Sequence, residues 1–98
     1  MEICKQAEGE KLTITLKGRL DTMTSPELEE ALKESLEKVK ELVFDFTDVE
    51  YISSAGLRVL LGSQKAMGEN GKMIIRHVNE PVMEVFEVTG FSNVFTIE

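Results

Sequence analysis

Residues 42–61 read LVFDFTDVEYISSAGLRVLL, and this run carries the change from strand to helix on which the fold depends. Its first part, Leu42–Phe46, is a short apolar run that is typical of a central strand covered on both faces. The more polar residues 47–53 are interpreted as a loop. A helix is predicted from about Ser54 to Met67, because apolar positions recur there at helical spacing and glycines follow at 68 and 71.

The flanking segments continue this alternation in both directions. The other predicted elements are strands at 3–7 and 11–17, a helix that begins at Thr24 or Ser25, a strand at 73–78, a helix from Asn79 to Gly90 and a strand at 94–97. Gly18 is taken as the end of the second strand. Helices between successive strands imply parallel pairing by right-handed crossovers, and the opening hairpin adds an antiparallel edge. The sequence therefore predicts one α/β domain over residues 1–98, with a mixed sheet of four or five strands and three helices.

The charge and the cysteine content limit the classes of function. A net charge of −7 on 98 residues argues against a basic surface for nucleic acid and against binding to an anionic membrane. The single cysteine, Cys4, cannot form an internal disulfide, which favours a reducing compartment. The first residues lack the apolar segment of a secretory signal, and no apolar run is long enough to cross a bilayer. We therefore expect a cytoplasmic protein with neither a nucleic-acid nor a membrane partner.

Neither a catalytic nor a metal-binding grouping is evident. The one histidine, His77, lies in a predicted strand, and together with Cys4 it offers too few ligands for a zinc site. No residue near Ser54 in the sequence could act as the general base that a serine nucleophile needs, and the residues around Ser54 do not match the nucleophile elbow of α/β hydrolases. We therefore expect no enzyme activity, no metal and no cofactor.

Two hydroxyl side chains, Ser53 and Ser54, stand where the second helix is predicted to begin. Serine is a preferred N-cap and stabilises a helix by about 0.5–2 kcal/mol, so helix capping is the first interpretation of this pair.

The second interpretation comes from a family resemblance. The segment 53–57, SSAGL, resembles the signature of STAS domains of the bacterial anti-sigma-factor antagonists, in which a strand precedes an Asp-Ser-Ser/Thr/Ala-Gly-Leu turn into a helix. The segment Gly18–Asp21 resembles the Gly-x-Leu-Asp turn that lies near the phosphorylation site of that family. The order of elements is similar over nearly the whole chain. By this resemblance the phosphorylated serine is Ser54, and Ser53 replaces the aspartate that precedes it in the family.

The resemblance implies a protein that binds a partner and is regulated by phosphorylation. The implied partner is an anti-sigma factor with serine kinase activity, which the chain sequesters while Ser54 is unphosphorylated. A phosphoryl group adds about −1.5 to −2 charges, and near Asp21 it is expected to repel the partner without unfolding the helix. The implied partner-binding residues are Asp21, Thr22, Ser53, Gly56, Leu57, Arg58 and Leu61.

A helical wheel assigns two faces to the second predicted helix. One face, which we assign to the sheet, carries Ala55, Val59, Gly62 and Ala66, and the opposite face carries Ser54, Leu57, Arg58, Leu61 and Lys65. This assignment makes Leu57 and Leu61 an exposed docking strip beside the phosphorylation site. In the alternative, both leucines pack against a neighbouring helix.

Two other functions stay open at this point. A STAS domain that senses a ligand, or acts constitutively without phosphorylation at Ser54, would share the fold. An enzyme that uses Ser54 as a nucleophile is the third and least favoured hypothesis. The sequence predicts no oligomeric state.

Overall fold

The computed structural model describes all residues from Met1 to Glu98 and contains five strands and three α-helices. Their bounds are β1 Glu2–Glu8, β2 Lys11–Leu20, α1 Ser25–Ser35, β3 Glu41–Ile52, α2 Ser54–Met67, β4 Lys72–Arg76, α3 Glu80–Thr89 and β5 Thr96–Ile97. The order β-β-α-β-α-β-α-β and the predicted fold class are thereby confirmed. None of the three helices combines the length and the apolar composition needed to cross a membrane.

The five strands form one mixed sheet in the order β1-β2-β3-β4-β5. Strand β1 is antiparallel to β2, whereas β2, β3, β4 and β5 are parallel to one another. Each helix connects two neighbouring parallel strands. Because right-handed crossovers that advance in one direction place their helices on one side, α1, α2 and α3 share a face of the sheet.

The core lies between that face and the helices. It is one cluster of 20 buried residues, to which the sheet contributes side chains such as Ile14 and Phe44 and all three helices contribute, for example through Leu28, Leu60 and Phe86. The side chains of alternate strand residues point to the opposite face, as period-two alternation requires. The helices are therefore anchored side by side, and their N-termini follow the carboxyl ends of the strands.

Two strands run further than the sequence predicts. Strand β2 passes through Gly18 to Leu20, and β3 includes the residues 47–52 that were interpreted as a loop. Both predictions were wrong for the same reason, because the two extensions pair with each other in parallel, across register shifts near Gly18. Gly18 takes a positive φ of 110°, which suits an irregular position inside a strand as well as its end. The polar side chains of the β3 extension lie on its exposed side.

Candidate functional site

The carboxyl ends of β2 and β3 bring the two sequence motifs together. Leu20 is the register partner of Ile52, and the Ser53 N–H donates a hydrogen bond to the Leu20 carbonyl at 2.9 Å. Asp21 and Ser53, which follow these strand ends, therefore leave the sheet next to each other, and Ser54 begins α2 at the same edge. The turn after β2 and the start of α2 form one surface, which we call the switch surface.

Asp21 organises the turn between β2 and α1. Its Oδ1 accepts hydrogen bonds from the backbone N–H of Thr24 at 3.1 Å, the backbone N–H of Met23 at 3.0 Å and the Thr24 hydroxyl at 3.2 Å. Its Oδ2 lies 3.5 Å from Arg19 Nε. These hydrogen bonds, that of the Thr24 backbone foremost, hold the pKa of Asp21 below its ordinary value of 3.8. Asp21 therefore presents a carboxylate to the switch surface at neutral pH.

Three exposed side chains at this edge were missed by sequence reasoning. The Arg19 guanidinium lies over the Tyr51 ring, 4.5 Å from its centroid, and the two residues are register partners in β2 and β3. Tyr51 is 41% exposed and Met23 is 83% exposed. Arginine, tyrosine and methionine are enriched at protein interfaces. The interpretation of residues 47–53 as a loop concealed the pairing of Arg19 with Tyr51, which depends on the extensions of β2 and β3. Met23 lies in the turn between β2 and α1, outside that segment.

The two serines of the motif occupy different environments. Ser54 is exposed and is the first residue of α2. Ser53 takes the N-cap position with an extended backbone, but its side chain makes no capping hydrogen bond, and its enclosed Oγ has no hydrogen-bond partner. The capping interpretation was therefore wrong, since neither hydroxyl stabilises the helix start in that way.

Gly56 and Leu57, two of the residues assigned to the partner surface, face the protein interior. Leu57 is 4% exposed and belongs to the core cluster. At Gly56 a Cβ would lie only 2.8 Å from Leu20 Cγ, so the helix backbone packs directly on the end of β2. The prediction of an exposed docking strip was wrong for Leu57. The buried face of α2 lies about a quarter-turn around the helix axis from the face that the wheel assigned to the sheet. Large side chains such as Leu57, Leu60 and Met67 remove more apolar area from water than alanines do, and they occupy the buried side.

Leu61 lies at the margin of the core, half-buried and packed against the cluster. The small residues that the wheel assigned to the sheet instead border a groove between α1 and α2. This groove has a volume of about 480 Å³, and Gly62 and Ala66 are among its lining residues. A smaller hollow of about 240 Å³ lies nearer the switch surface, between Thr22 on the β2–α1 turn and Ala55 at the start of α2.

The exposed side of α2 carries Ser54, Arg58 and Lys65. Arg58 lines both the groove and the smaller hollow. It takes part in none of the four ion pairs of the protein, whereas Arg19 and Arg76 are each paired with an acidic side chain. The predicted partner-binding residues fall into three groups. Four of them meet at the switch surface, namely Asp21, Thr22, Ser53 and Arg58. Leu61 lies at the margin of this surface, and Gly56 and Leu57 lie beneath it.

Comparison with known proteins identifies the family. A family model described as the STAS domain matches residues 3–98. The chain is 30% identical over 98 residues to the anti-sigma-B factor antagonist of Listeria monocytogenes, with 96% of this chain and 84% of that protein covered. The fold and the serine-bearing turn thus define a STAS domain. The chain belongs to the STAS family of anti-sigma-factor antagonists, as its two motifs predicted.

Solved structures share the fold. An anti-sigma factor antagonist from Mycobacterium paratuberculosis aligns with a TM-score of 0.88 at 21% identity, with 98% of this chain and 83% of that chain covered. The antagonist SpoIIAA in its unphosphorylated form aligns with a TM-score of 0.86 at 18% identity over 99% of this chain and 88% of its own. The phosphorylated form of SpoIIAA, from Bacillus, aligns with a TM-score of 0.77 at 17% identity over 99% of this chain and 91% of its own.

Proposed function

We propose that this protein is an anti-sigma-factor antagonist that binds an anti-sigma factor with serine kinase activity, and that phosphorylation of Ser54 by this kinase separates the two proteins. The observation that carries the proposal is the exposed Ser54 hydroxyl at the start of α2, on the same surface as the Asp21 carboxylate. The protein acts in the cytoplasm as a binding module without catalysis of its own. The name of the Listeria relative supports the class of partner.

The chemistry of a phosphoryl group explains why the switch acts on the interface. The modification adds about −1.5 to −2 charges to a surface that already holds the Asp21 carboxylate. A partner that covers this surface must remove both groups from water and hold them close together. A loss of about 3 kcal/mol in binding free energy is roughly a hundredfold loss of affinity.

A phosphoryl group on Ser54 is expected to leave the domain folded. A helix N-terminus offers unpaired N–H groups and the positive end of the dipole to a negative charge, so a phosphoryl group at Ser54 is compatible with α2. The fold similarity to SpoIIAA in both its unphosphorylated and its phosphorylated form supports a modification that leaves the domain folded.

The proposed partner surface is larger than the sequence motif. It comprises the motif residues that meet at the switch surface and the three side chains beside them, namely Asp21, Thr22, Ser53, Arg58, Leu61, Arg19, Met23 and Tyr51. Leu57 and Gly56 support it from below, because they hold the first turn of α2 against the sheet.

Phosphorylation is tested by incubating the protein with the cognate anti-sigma kinase and ATP and measuring the intact mass. We expect one added phosphoryl group on the wild type and on Ser53→Ala, and none on Ser54→Ala. Because the two variants each remove one serine hydroxyl at neighbouring positions, this pair assigns the site. An unmodified wild type would favour the alternative, a STAS domain regulated without phosphorylation, and a modified Ser54→Ala would refute the assignment.

The switch itself is tested by measuring the affinity for the same anti-sigma factor. Ser54→Ala is expected to bind as tightly as the wild type, because it removes only the acceptor hydroxyl. Ser54→Asp places a charge in the interface and is expected to bind more weakly. Equal affinities of the two variants would exclude a switch at this position.

A further inference from the structure

We propose that Arg58 is the internal counter-ion of the phosphoryl group on Ser54. The inference rests on the proposed phosphorylation of Ser54 and concerns how this chain holds the modified side chain. In the phosphorylated protein, the Arg58 guanidinium turns to the phosphoryl oxygens one helical turn away. Phosphorylation then adds a dianion to the switch surface and also withdraws a cation from it.

The spacing of the two residues is that of an intrahelical ion pair. Ser54 and Arg58 are four positions apart in α2, so they lie on the same face, separated along the axis by about 6 Å. Both are exposed. An acidic group N-terminal to a basic group at this spacing is the favourable orientation, and phosphorylation makes Ser54 such an acidic group.

The guanidinium of Arg58 is available for this contact. It forms no ion pair with any carboxylate in the unmodified protein. Arg19, the other arginine at this edge, is already held between Asp21 and the Tyr51 ring. The second cation of α2, Lys65, lies eleven positions from Ser54, about 16 Å along the axis, which exceeds the Debye length at physiological ionic strength.

The pairing changes what a partner meets at the switch surface. In the unmodified protein Arg58 is free to contact an acidic group on the partner. After phosphorylation the same guanidinium is occupied by the Ser54 phosphoryl group, and its planar donors suit two phosphoryl oxygens at once. An arginine that contributes to binding is thereby removed by the event that also introduces the repulsive charge.

The experiment uses full-length protein that carries phosphoserine at position 54, incorporated during translation so that no kinase is needed. The second pKa of the phosphate, ordinarily about 6, is measured by ³¹P NMR titration at physiological ionic strength, at which the charge of Lys65 is screened from Ser54. The titration is repeated with Arg58→Gln, Arg58→Lys and Lys65→Gln. Lys65→Gln is the matched control, because it removes the same charge from the same exposed side of the same helix.

We expect Arg58→Gln to raise this second pKa by about 0.2–0.4 of a unit, because the dianion loses its counter-ion. Arg58→Lys should restore part of the wild-type value, because it keeps the charge but not the paired donors of the guanidinium. Lys65→Gln should leave the value nearly unchanged. A shift in Arg58→Gln no larger than that in Lys65→Gln would overturn the proposal. Because the phosphoserine is encoded, a kinase that fails to modify Ser54 contradicts the proposed function but does not alter this result.

Discussion

At the level of single residues, the N-cap positions of α2 and α3 differ in what their side chains do. Asn79 accepts a hydrogen bond from the Val82 N–H at 2.9 Å and donates one to the Val49 carbonyl at 2.8 Å. Ser53 occupies the equivalent position of α2, but its enclosed hydroxyl has no partner. The side chain of Asn79 therefore stabilises its helix, whereas the hydroxyl of Ser53 does not.

This difference predicts unequal effects of removing the two side chains. Ser53→Ala is expected to change the free energy of unfolding by less than about 0.5 kcal/mol, because no hydrogen bond is lost and an unpaired buried hydroxyl is removed. Asn79→Ala is expected to cost about 1–2 kcal/mol, because it loses a cap. Urea unfolding of both variants measures the difference. A loss in Ser53→Ala as large as that in Asn79→Ala would show that the serine caps α2 after all.

The lowered pKa of Asp21 predicts a stability that depends on pH. The folded protein binds a proton on Asp21 less tightly than the unfolded chain does, so protonation favours unfolding. The contribution of the Asp21 charge is fully present above the ordinary pKa of 3.8 and is lost as the pH falls through the lower folded-state value. The difference in melting temperature between the wild type and Asp21→Asn should therefore be constant above about pH 5 and shrink below pH 4.

The comparison with Asp21→Asn is needed because Asp45 also titrates in this pH range. Partial burial is the largest single influence and raises the pKa of Asp45, but the hydrogen bonds from Thr47 and the charges of His77 and Arg76 together lower it further, so the net direction is downward. Both proteins share this contribution, so it cancels in the comparison. A difference in melting temperature that stays the same at every pH would contradict the assigned role of the Asp21 charge.

At the level of elements, α2 shows where sequence reasoning failed. The helix bounds, Ser54–Met67, were predicted correctly, but its orientation was not. The wheel treated small residues as the buried face, although Leu57, Leu60 and Met67 bury more apolar area on a different side. A wheel gives the relative positions of side chains, but it does not say which side meets the sheet when apolar residues surround most of the helix.

The corrected orientation predicts different roles for the two leucines of the former docking strip. Leu57→Ala is expected to lower the free energy of unfolding by about 2–5 kcal/mol, because it leaves a cavity in the core. Leu61→Ala is expected to cost about 1 kcal/mol, because Leu61 is only half-buried. Urea unfolding distinguishes them, and a Leu57→Ala variant as stable as the wild type would return Leu57 to the surface.

Two glycines of α2 form a second matched pair. A Cβ at Gly56 would lie 2.9 Å from both Ile52 Cγ1 and the Leu20 carbonyl oxygen, whereas a Cβ at Gly62 would meet nothing within 4 Å. Gly56→Ala is therefore expected to destabilise the protein by about 1–3 kcal/mol. Gly62→Ala is expected to stabilise it by about 0.5–1 kcal/mol, because alanine is the better helix former. Thermal unfolding measures both changes, and a shared sign would contradict the packing of Gly56 on β2.

At the level of the whole molecule, the element order and the mixed sheet were predictable because they depend on periodicity and on the handedness of crossovers. The extensions of β2 and β3 were not, because each extended strand is stabilised by the other and neither has a clear local signal. The same pairing hid Arg19 and Tyr51 from the candidate site. Motif residues adjacent in sequence were found readily, whereas those contributed by the opposite strand required the structure.

The hydrogen bond from the Ser53 N–H to the Leu20 carbonyl has a consequence for how a kinase would recognise this protein. It joins two distant parts of the chain, so Ser54, the proposed phosphorylation site, is presented as a conformational epitope and not as a linear consensus. A synthetic peptide of residues 48–61 contains the whole segment 53–57, but it lacks Asp21, Arg19 and the preformed start of α2. Kinase assays should therefore show the folded domain modified efficiently and the peptide poorly. Equal rates of phosphorylation of the domain and the peptide would show that the kinase recognises the local sequence alone.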